Sequence, residues 1–416
     1  MTSVYQQDGQ LPAAVPGPVR TRVDLHTTLP GELAEEVERR LLFVSAEISG
    51  FQLIVENGAV VGAVLESDAP LDRASLAEKI NRVVDGDVRD QRTTLPKVVW
   101  TSPHEHTTEE GTFELLHRSG MVGAARDGLV ALGEPLLSLL DHLDNAVKGL
   151  LRQDFAPVEF RYPTLISTQA MEATGYLASF PHHLMFVTRL HNDIDVYQEF
   201  QRSHEERGLD STVLDSCRNV DYCLPPTMCY HTFDQYRDRT LPAEGLHVVT
   251  AKGKAFRFEA GYATSLERLW DFTIREIVFM GEREEVLAAR RRFMQRTFAF
   301  IEDLGLAGFC EVGNDPFFGG PDTSTRIWSQ KLMELKYELR IPVAPERTVA
   351  AASFNFHDDL FGEKFGIGYG PDATVRSACV GFGLERLAYA FLCRHGLDVD
   401  AWPASVRAGV QALSGI

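Results

Sequence analysis

The sequence lacks any apolar run of about 18 residues, the length that a membrane-spanning helix needs, so we expect no membrane span. Its first 20 residues also lack the basic start and the apolar centre of a secretory signal. We interpret residues 1–19 as a flexible tail and expect a cytoplasmic protein. In that compartment the six cysteines are expected to be free or metal-bound, not paired in disulfides.

Positive charge is scarce. Lys and Arg number 41 against 59 Asp and Glu, which gives a formal net charge of -18. Proteins that bind nucleic acid irrespective of its sequence usually carry a basic surface, so this balance counts against a large RNA partner. Internal repeats and low-complexity tracts are also lacking. With 416 residues, 44% of them hydrophobic, the chain is long enough for two well-packed domains.

Residues 20–101 are predicted to form a separate N-terminal domain. Two apolar runs, 51–56 and 59–66, are joined by Asn57-Gly58, which is a strong hairpin signal. Strand and helix patterns precede the hairpin, and a helix pattern and a last strand at 95–101 follow it. The order β-α-β-β-α-β is typical of a ferredoxin-like sandwich.

Residues 115–416 are predicted to form a second domain after a linker. Apolar strands separated by irregular links and by helices are typical of an antiparallel sheet with helices packed on one side, an α+β fold. The predicted helices include residues 133–153, 282–300, 329–340 and 384–395. The predicted strands include residues 224–233, 349–356 and 378–381.

The stretch 256–276, FRFEAGYATSLERLWDFTIRE, concentrates charged and aromatic residues at regular spacing. A hairpin with an open loop would place five side chains on one polar face: Arg257, Glu259, Arg268, Phe272 and Glu276. Arginines on such a face can hold phosphate or carboxylate oxygens, and a phenylalanine can stack on a base. The spacing also fits a solvated amphipathic helix with charge pairs four residues apart. The pattern alone leaves both structures open.

Cys229, Glu276 and Cys379 are candidate metal ligands, each in or beside a predicted strand. Two thiolates and one carboxylate are a plausible tetrahedral zinc set, with the fourth position open to a substrate. The alternative is that both cysteines are buried free thiols.

Residues 256–276 resemble motif 2 of the class II aminoacyl-tRNA synthetases: aromatic-Arg-x-acid, a short loop, then Arg-x3-Phe-x3-acid. GFGLER at 381–386 resembles their glycine-rich motif 3. The predicted helix 133–153 with the following FRYPTL at 160–165 resembles motif 1, which builds the dimer interface. The resemblance implies a class II catalytic domain that uses ATP with Mg²⁺ and forms a homodimer.

Within class II the chain looks like one branch, the methanogen-type seryl-tRNA synthetases and the related amino acid:carrier-protein ligases. Both use a Cys, a Glu and a second Cys to bind zinc, and Cys229, Glu276 and Cys379 match in order and context. Over about residues 115–395 the chain resembles the carrier-protein ligases in several strings: SFPHHL at 179–184, CYHTF at 229–233, NDPFF at 314–318 and SFNFHDDLFG at 353–362. The resemblance implies Zn²⁺ that takes the amino group of a small amino acid.

The resemblance also implies individual roles. Arg257 would bridge the α-phosphate of ATP and the substrate carboxylate, and Arg386 would hold the γ-phosphate. Phe272 would stack on adenine, Glu259 would contact the adenine side or a magnesium-linked group, and Arg268 would reach the γ-phosphate. Three residues are expected near the amino acid, with turn and cap chemistry as the alternative: Asp315, Ser353 and Asn355.

The implied reaction is ATP-dependent activation of a small amino acid as an aminoacyl adenylate, followed by transfer to the phosphopantetheine thiol of a carrier protein. Carrier proteins are typically acidic, so a basic helix would suit them. One candidate is Arg290–Arg292 with Arg296, and another is Arg326, Lys331 and Lys336. A solvated charged face is the alternative for each.

Charging of tRNA is the alternative function, because the N-terminal domain resembles the tRNA-binding domain of the methanogen-type synthetases. Residues 1–100 hold 10 Lys and Arg against 15 Asp and Glu, which counts against tRNA. A third hypothesis is a non-catalytic, synthetase-like regulatory protein. The complete set of arginines and cysteines counts against it.

Overall fold

The computed structural model describes residues 18–91, 97–105, 108, 111–123, 128–262, 264–313, 315, 327, 330 and 333–414. The backbone divides into two compact units, Met1–Asp90 and Gln91–Ile416. No helix within the described ranges is long and apolar enough to cross a membrane. The predicted tail lies outside the described residues, apart from its last two.

The first unit is a three-stranded antiparallel sheet with two helices. Its elements are β1 (Val19–Pro30), α1 (Ala34–Leu41), β2 (Gly50–Glu56), β3 (Ala59–Ser67) and α2 (Arg73–Val83). Strand β3 lies between β1 and β2. Asn57 and Gly58 have φ of 50° and 77°, the left-handed backbone that a two-residue hairpin turn requires. The hairpin predicted at this point is confirmed.

The second unit is larger. Its strands are β4 (Val98–Thr101), β5 (Val158–Phe160), β6 (Ile166–Ser167), β7 (Phe186–Val187), β8 (Tyr222–Cys223), β9 (Thr240–Leu241), β10 (His247–Phe256), β11 (Asp271–Gly281), β12 (Phe309–Val312), β13 (Lys336–Ala344), β14 (Arg347–Asp358), β15 (Gly368–Tyr369), β16 (Ala373–Thr374) and β17 (Arg376–Gly383). Its helices include α3 (Thr112–Arg118), α4 (Leu136–Asp154), α5 (Thr168–Thr174), α6 (Tyr176–Ser179), α7 (Ile194–Arg207), α8 (Cys229–Gln235), α9 (Arg283–Asp303), α10 (Leu360–Phe365), α11 (Leu384–His395) and α12 (Ala404–Ser414).

An eight-stranded sheet forms the centre of this unit, in the order β4-β12-β13-β14-β17-β11-β10-β5. Every neighbouring pair is antiparallel except β5 and β10, which are parallel. The predicted α+β class, an antiparallel sheet with flanking helices, is confirmed.

The two faces of the sheet differ in chemistry because side chains alternate along each strand. On β11, Ile277 and Phe279 pack into one core with α4, α9 and α11. Val278 and Met280 point the other way and pack with α8 and α10. The polar side chains of the candidate site share this second face with Val278.

Strand β4 corrects the prediction of the N-terminal domain. It was expected to complete the ferredoxin-like unit, but it pairs with β12 at the edge of the large sheet. Trp100 stacks on Phe298 of α9 with ring centroids 4.6 Å apart, and its indole N–H donates to Glu302 at 3.1 Å. Both partners belong to the second unit, so residues 98–101 do too.

Other elements sort into confirmed and wrong predictions. The helix over 384–395 and the hairpin of β10 and β11 are confirmed. The strand predicted at 224–233 is wrong, because helix α8 begins at Cys229. The helix predicted at 329–340 is wrong over its last five residues, which begin β13.

Candidate functional site

Motif 2 is a β-hairpin with an open loop. Strands β10 and β11 pair from His247–Met280 to Phe256–Asp271, and the Arg257 amide extends the pairing by donating to the Trp270 carbonyl at 3.0 Å. The helical alternative for this stretch is therefore excluded. Glu276 lies inside β11, opposite Gly381 of β17.

The three predicted metal ligands lie together. One donor atom each from Cys229, Glu276 and Cys379 lies within 4.8 Å of the other two, and all three residues are buried. Cys379 is on β17 and Glu276 on β11, as expected. Cys229 is the first residue of α8, not a strand residue.

Glu276 is held in place by the chain just before and at the start of α8. Its Oε2 accepts hydrogen bonds from the backbone amides of Met228 at 2.8 Å and Cys229 at 3.0 Å, and from the Thr227 hydroxyl. Three hydrogen bonds to one oxygen leave the carboxylate little freedom to turn, so its second oxygen has a defined direction.

Neither thiol of this group loses its proton easily unless a cation compensates the negative charge. Burial raises the pKa of the Cys229 thiol well above its usual range. Contact with Cys229 lowers the pKa of the Cys379 thiol, but burial and the Glu276 carboxylate outweigh that contact and raise it. Two thiols and a carboxylate gathered away from water fit a zinc ion, which binds thiolates at about 2.3 Å and replaces their protons.

A cleft lies beside these donors. It is lined by four of the five residues predicted to bind ATP: Arg257, Glu259, Phe272 and Arg386. The Arg257 guanidinium lies 5.3 Å from the centre of the Phe272 ring, and its Nε donates to the Pro226 carbonyl at 3.2 Å. Arg386 donates to the carbonyls of Glu267 at 2.6 Å and Ala350 at 3.2 Å.

Arg268, the fifth residue predicted to bind ATP, does not line the cleft but contacts Glu259, which does. Its Nη1 donates to the Glu259 carboxylate at 2.9 Å, and its guanidinium lies over the Tyr262 ring at 5.4 Å. Burial would raise the pKa of Glu259, but the positive charge of Arg268 and its neighbours outweighs burial and lowers it. Burial, with repulsion from Arg268, lowers the pKa of Arg386 to about 10.

A second cavity is lined by the three candidate metal donors and by all three residues predicted to lie near the amino acid. Asn355 donates to the Ser353 hydroxyl at 3.2 Å and to the Cys379 sulfur at 3.5 Å. The Asp315 carboxylate accepts from the Lys336 ammonium at 2.7 Å and from the Gln330 amide at 2.8 Å. Turn or cap chemistry is therefore not the role of Ser353 and Asn355, which lie inside β14.

The two cavities share a wall. Arg257, Ser353 and Gly381 line both. A Cβ atom at Gly381 would lie 3.1 Å from Ile274 Cδ1. Glycine therefore leaves space above the sheet at this position. A ligand in one cavity can therefore touch a ligand in the other.

Several residues of the site were missed by sequence reasoning. Lys336 lines both cavities, and its ammonium lies 2.7 Å from Asp315 and 3.2 Å from Glu338. Burial alone would lower its pKa, but the two carboxylates outweigh burial and raise it. His357 lies beside Cys379, and burial lowers its pKa to about 4. The alternation S-F-N-F-H at 353–357, which puts every second side chain on one face, is the signal that could have found His357.

The basic helix α9 is largely engaged with its own chain. Arg292 and Arg296 both pair with Asp154, and Arg290 is buried beside Tyr337 and Phe356. In the second candidate for a docking surface, Lys336 is part of the site just described. Arg326 and Lys331 lie outside the described residues.

Comparisons with known proteins agree with this geometry. No family model matches the chain. Amino acid–[acyl-carrier-protein] ligase 1 of Bradyrhizobium diazoefficiens is 37% identical over 317 residues, which span 76% of this chain and 91% of the relative. A type-2 serine–tRNA ligase of Methanopyrus kandleri is 25% identical over 385 residues, 85% of this chain and 72% of that protein.

Solved structures give the same fold. The M. kandleri seryl-tRNA synthetase, solved in complex with A. aeolicus tRNASec, superposes with a TM-score of 0.71 at 21% identity over 88% of this chain and 74% of that one. At this identity the likeness shows the fold alone. By its 37% identity over nine-tenths of the Bradyrhizobium protein, the chain belongs to the family of amino acid–[acyl-carrier-protein] ligases.

Proposed function

We propose that this ligase activates a small amino acid with ATP and transfers it to the phosphopantetheine thiol of a carrier protein. The observation that carries this proposal is the wall common to the two cavities, where Arg257, Ser353 and Gly381 lie between the cleft lined by the predicted ATP-binding residues and a buried thiol-carboxylate group. Such a site can hold the carboxylate of an amino acid near a phosphate while the thiol-carboxylate group holds its amine through a metal ion.

Cys229, Glu276 and Cys379 are the residues that would bind zinc, and they fit its preference for thiolate and carboxylate donors. When bound, zinc supplies a Lewis acid whose open position takes the neutral amine of the substrate. With the amine and the carboxylate held at two fixed points, the side chain of the amino acid must fit the remaining space, so the cavity would select amino acids by size.

Activation is a phosphoryl-transfer reaction in which positioning and charge neutralisation do most of the catalysis. A carboxylate oxygen of the amino acid attacks the α-phosphorus, the bond to the bridging oxygen breaks, and pyrophosphate leaves. Arg257, which lines both cavities, would contact both the carboxylate and the α-phosphate. Phe272 offers a stacking surface for adenine and Arg386 a positive charge for the terminal phosphates, which are expected to carry Mg²⁺.

Transfer follows from the same arrangement. The thiol sulfur of the carrier attacks the acyl carbon, the bond to the phosphate oxygen breaks, and AMP leaves as the thiol proton passes to solvent. No cysteine of this chain is required as an acyl carrier, which is consistent with the burial of Cys229 and Cys379. We also expect a homodimer, because class II synthetases assemble through the elements that α4 and β5 resemble.

Exchange of radioactive pyrophosphate into ATP, measured with a panel of amino acids, tests the first step. We expect exchange with one or a few small amino acids. Absence of exchange with every amino acid would refute activation and leave a binding role. Mass analysis of a phosphopantetheinylated carrier after the complete reaction tests the second step, with the apo-carrier, which lacks the thiol, as the matched control.

Charging of tRNA remains the second candidate, because the M. kandleri type-2 serine–tRNA ligase aligns over 85% of this chain. Total tRNA incubated under the same conditions distinguishes the two functions. An aminoacyl ester on tRNA without a thioester on the carrier would replace our proposal with this alternative.

A further inference from the structure

His357 lines the amino-acid cavity, and the proposed function gives it no role. It lies in β14, two residues after Asn355, and it lines the cavity that holds the metal donors. Its ring packs edge-on against Phe361 with centroids 4.7 Å apart and against Phe233 at 5.9 Å. These aromatic neighbours fix the plane of the imidazole and therefore the direction of its two nitrogens.

Both ring nitrogens have a polar neighbour. Nε2 lies 3.5 Å from the sulfur of Cys379, and Nδ1 lies 3.4 Å from the hydroxyl of Ser377. A neutral ring with its hydrogen on Nε2 can donate to the sulfur while Nδ1 accepts from the hydroxyl. Asn355 donates a second N–H to the same sulfur, also at 3.5 Å. The Cys379 sulfur is thus approached by two N–H groups.

His357 does not act as a fourth metal ligand in this arrangement. Among the residues that the structure describes, the donors that all lie within 4.8 Å of one another belong to Cys229, Glu276 and Cys379, and the His357 nitrogens are outside that group. The ring touches one of the three candidate donors, the Cys379 sulfur, and does not lie within 4.8 Å of all of them.

We propose that His357 is a positioning residue that, together with Asn355, donates a hydrogen bond to the Cys379 thiolate and so tunes the zinc site. The inference rests on the zinc site of the proposed function. Two thiolates and one carboxylate would give a dication a net charge of about -1. Hydrogen bonds to a thiolate withdraw electron density from it, so the metal stays a stronger Lewis acid for an amine.

The test uses the full-length protein with His357 changed to Phe, which keeps an aromatic ring among Phe233 and Phe361 but removes both nitrogens. Competition with a chelator measures zinc affinity, and we expect about a tenfold to hundredfold loss, the usual effect of removing an outer partner of a metal ligand. In the cobalt-substituted protein, the sulfur-to-cobalt charge-transfer band is expected to move to lower energy. The matched control is His395→Phe, since His395 packs against Phe391, which belongs to the core on the other face of the sheet from Cys229 and Cys379.

A second variant keeps the inference testable if His357→Phe does not fold. Ser377→Ala removes the hydroxyl that faces Nδ1 and adds nothing to the aromatic cluster, and a smaller band shift in the same direction is expected. Wild-type zinc affinity and an unshifted band in a folded variant would overturn the inference while leaving the proposed function intact. Absence of zinc from the active wild-type protein would instead refute the metal site itself.

Discussion

Arg275 and Glu276 are neighbours in β11, and their charged groups lie on opposite faces of the sheet. Arg275 is only 1% exposed and forms two hydrogen bonds with Asp144 of α4, at 2.6 and 2.8 Å. Glu276 faces the two thiols and accepts backbone hydrogen bonds at the start of α8. Because side chains alternate along the strand, two neighbouring residues serve different ends: Arg275 holds a helix through an ion pair, and Glu276 is a candidate metal ligand.

Arg275→Met is expected to destabilise the protein by about 3–5 kcal/mol, because the buried carboxylate of Asp144 loses both hydrogen bonds from the guanidinium and keeps only the partly exposed Lys252 at 3.3 Å. The free energy of unfolding, measured with urea, checks this. The control is Arg296→Met, whose guanidinium is 45% exposed in its pair with Asp154 and should cost about 1 kcal/mol or less. Equal losses from the two variants would contradict the distinction between a buried and an exposed arginine.

Glu276→Gln is expected to abolish both tightly bound zinc and amino-acid-dependent pyrophosphate exchange, while the protein stays folded. The amide keeps the shape of the side chain but lacks the negative charge that a dication requires. Metal content by elemental analysis and the exchange rate are measured on the same sample. Cys393→Ser, a change at a buried cysteine outside the donor group, should retain both metal and activity. Full zinc content in Glu276→Gln would refute the ligand assignment.

Phe272→Leu is expected to raise the KM for ATP in pyrophosphate exchange by tenfold or more. Stacking of a base on an aromatic ring contributes about 1–3 kcal/mol, and leucine offers no flat surface. The KM for the amino acid should change much less, because Phe272 lines the nucleotide cleft. Phe200→Leu on α7, a helix without buried residues, is the control. An unchanged KM for ATP would show that adenine binds elsewhere.

His231 makes stability depend on pH. Burial lowers its pKa to about 4, whereas an unfolded histidine titrates near 6.5. Between these values the unfolded chain binds a proton that the folded protein does not, so stability is full above about pH 6.5 and falls as the pH drops towards 4.

His231→Phe keeps the ring that stacks on Tyr162 and removes the titration. The decrease in the free energy of unfolding between pH 7 and pH 5 should therefore be smaller than in the wild type. Urea titrations at both pH values measure it. A variant at the exposed His204 should keep the wild-type decrease, and the same decrease in His231→Phe would show that another group causes it.

Much of the site was predictable because its residues occur at regular spacing in strands. Motif 2 required Arg257, Phe272 and Glu276 to share a region of one hairpin, and they do. Helix α11 was predicted to the residue, since its apolar stripe begins directly after a glycine-rich strand.

The remaining elements depended on contacts between distant parts of the chain. Helix α8 contains Tyr, Thr and Phe, which favour strands, yet it begins where the backbone amides of Met228 and Cys229 donate to Glu276. Residues 336–340 are rich in helix formers, but their alternation lets Tyr337 and Leu339 face the core. Strand β4 carried no local sign of its partner, because that partner lies about two hundred residues further on.

The donors of the candidate metal centre come from a helix and two strands that lie far apart in the sequence. A nascent chain can therefore acquire the ion only after β17 has been synthesised and has entered the sheet next to β11. Metal loading would report completion of the domain, and zinc shortage in a cell would reduce the amount of finished enzyme as well as its turnover.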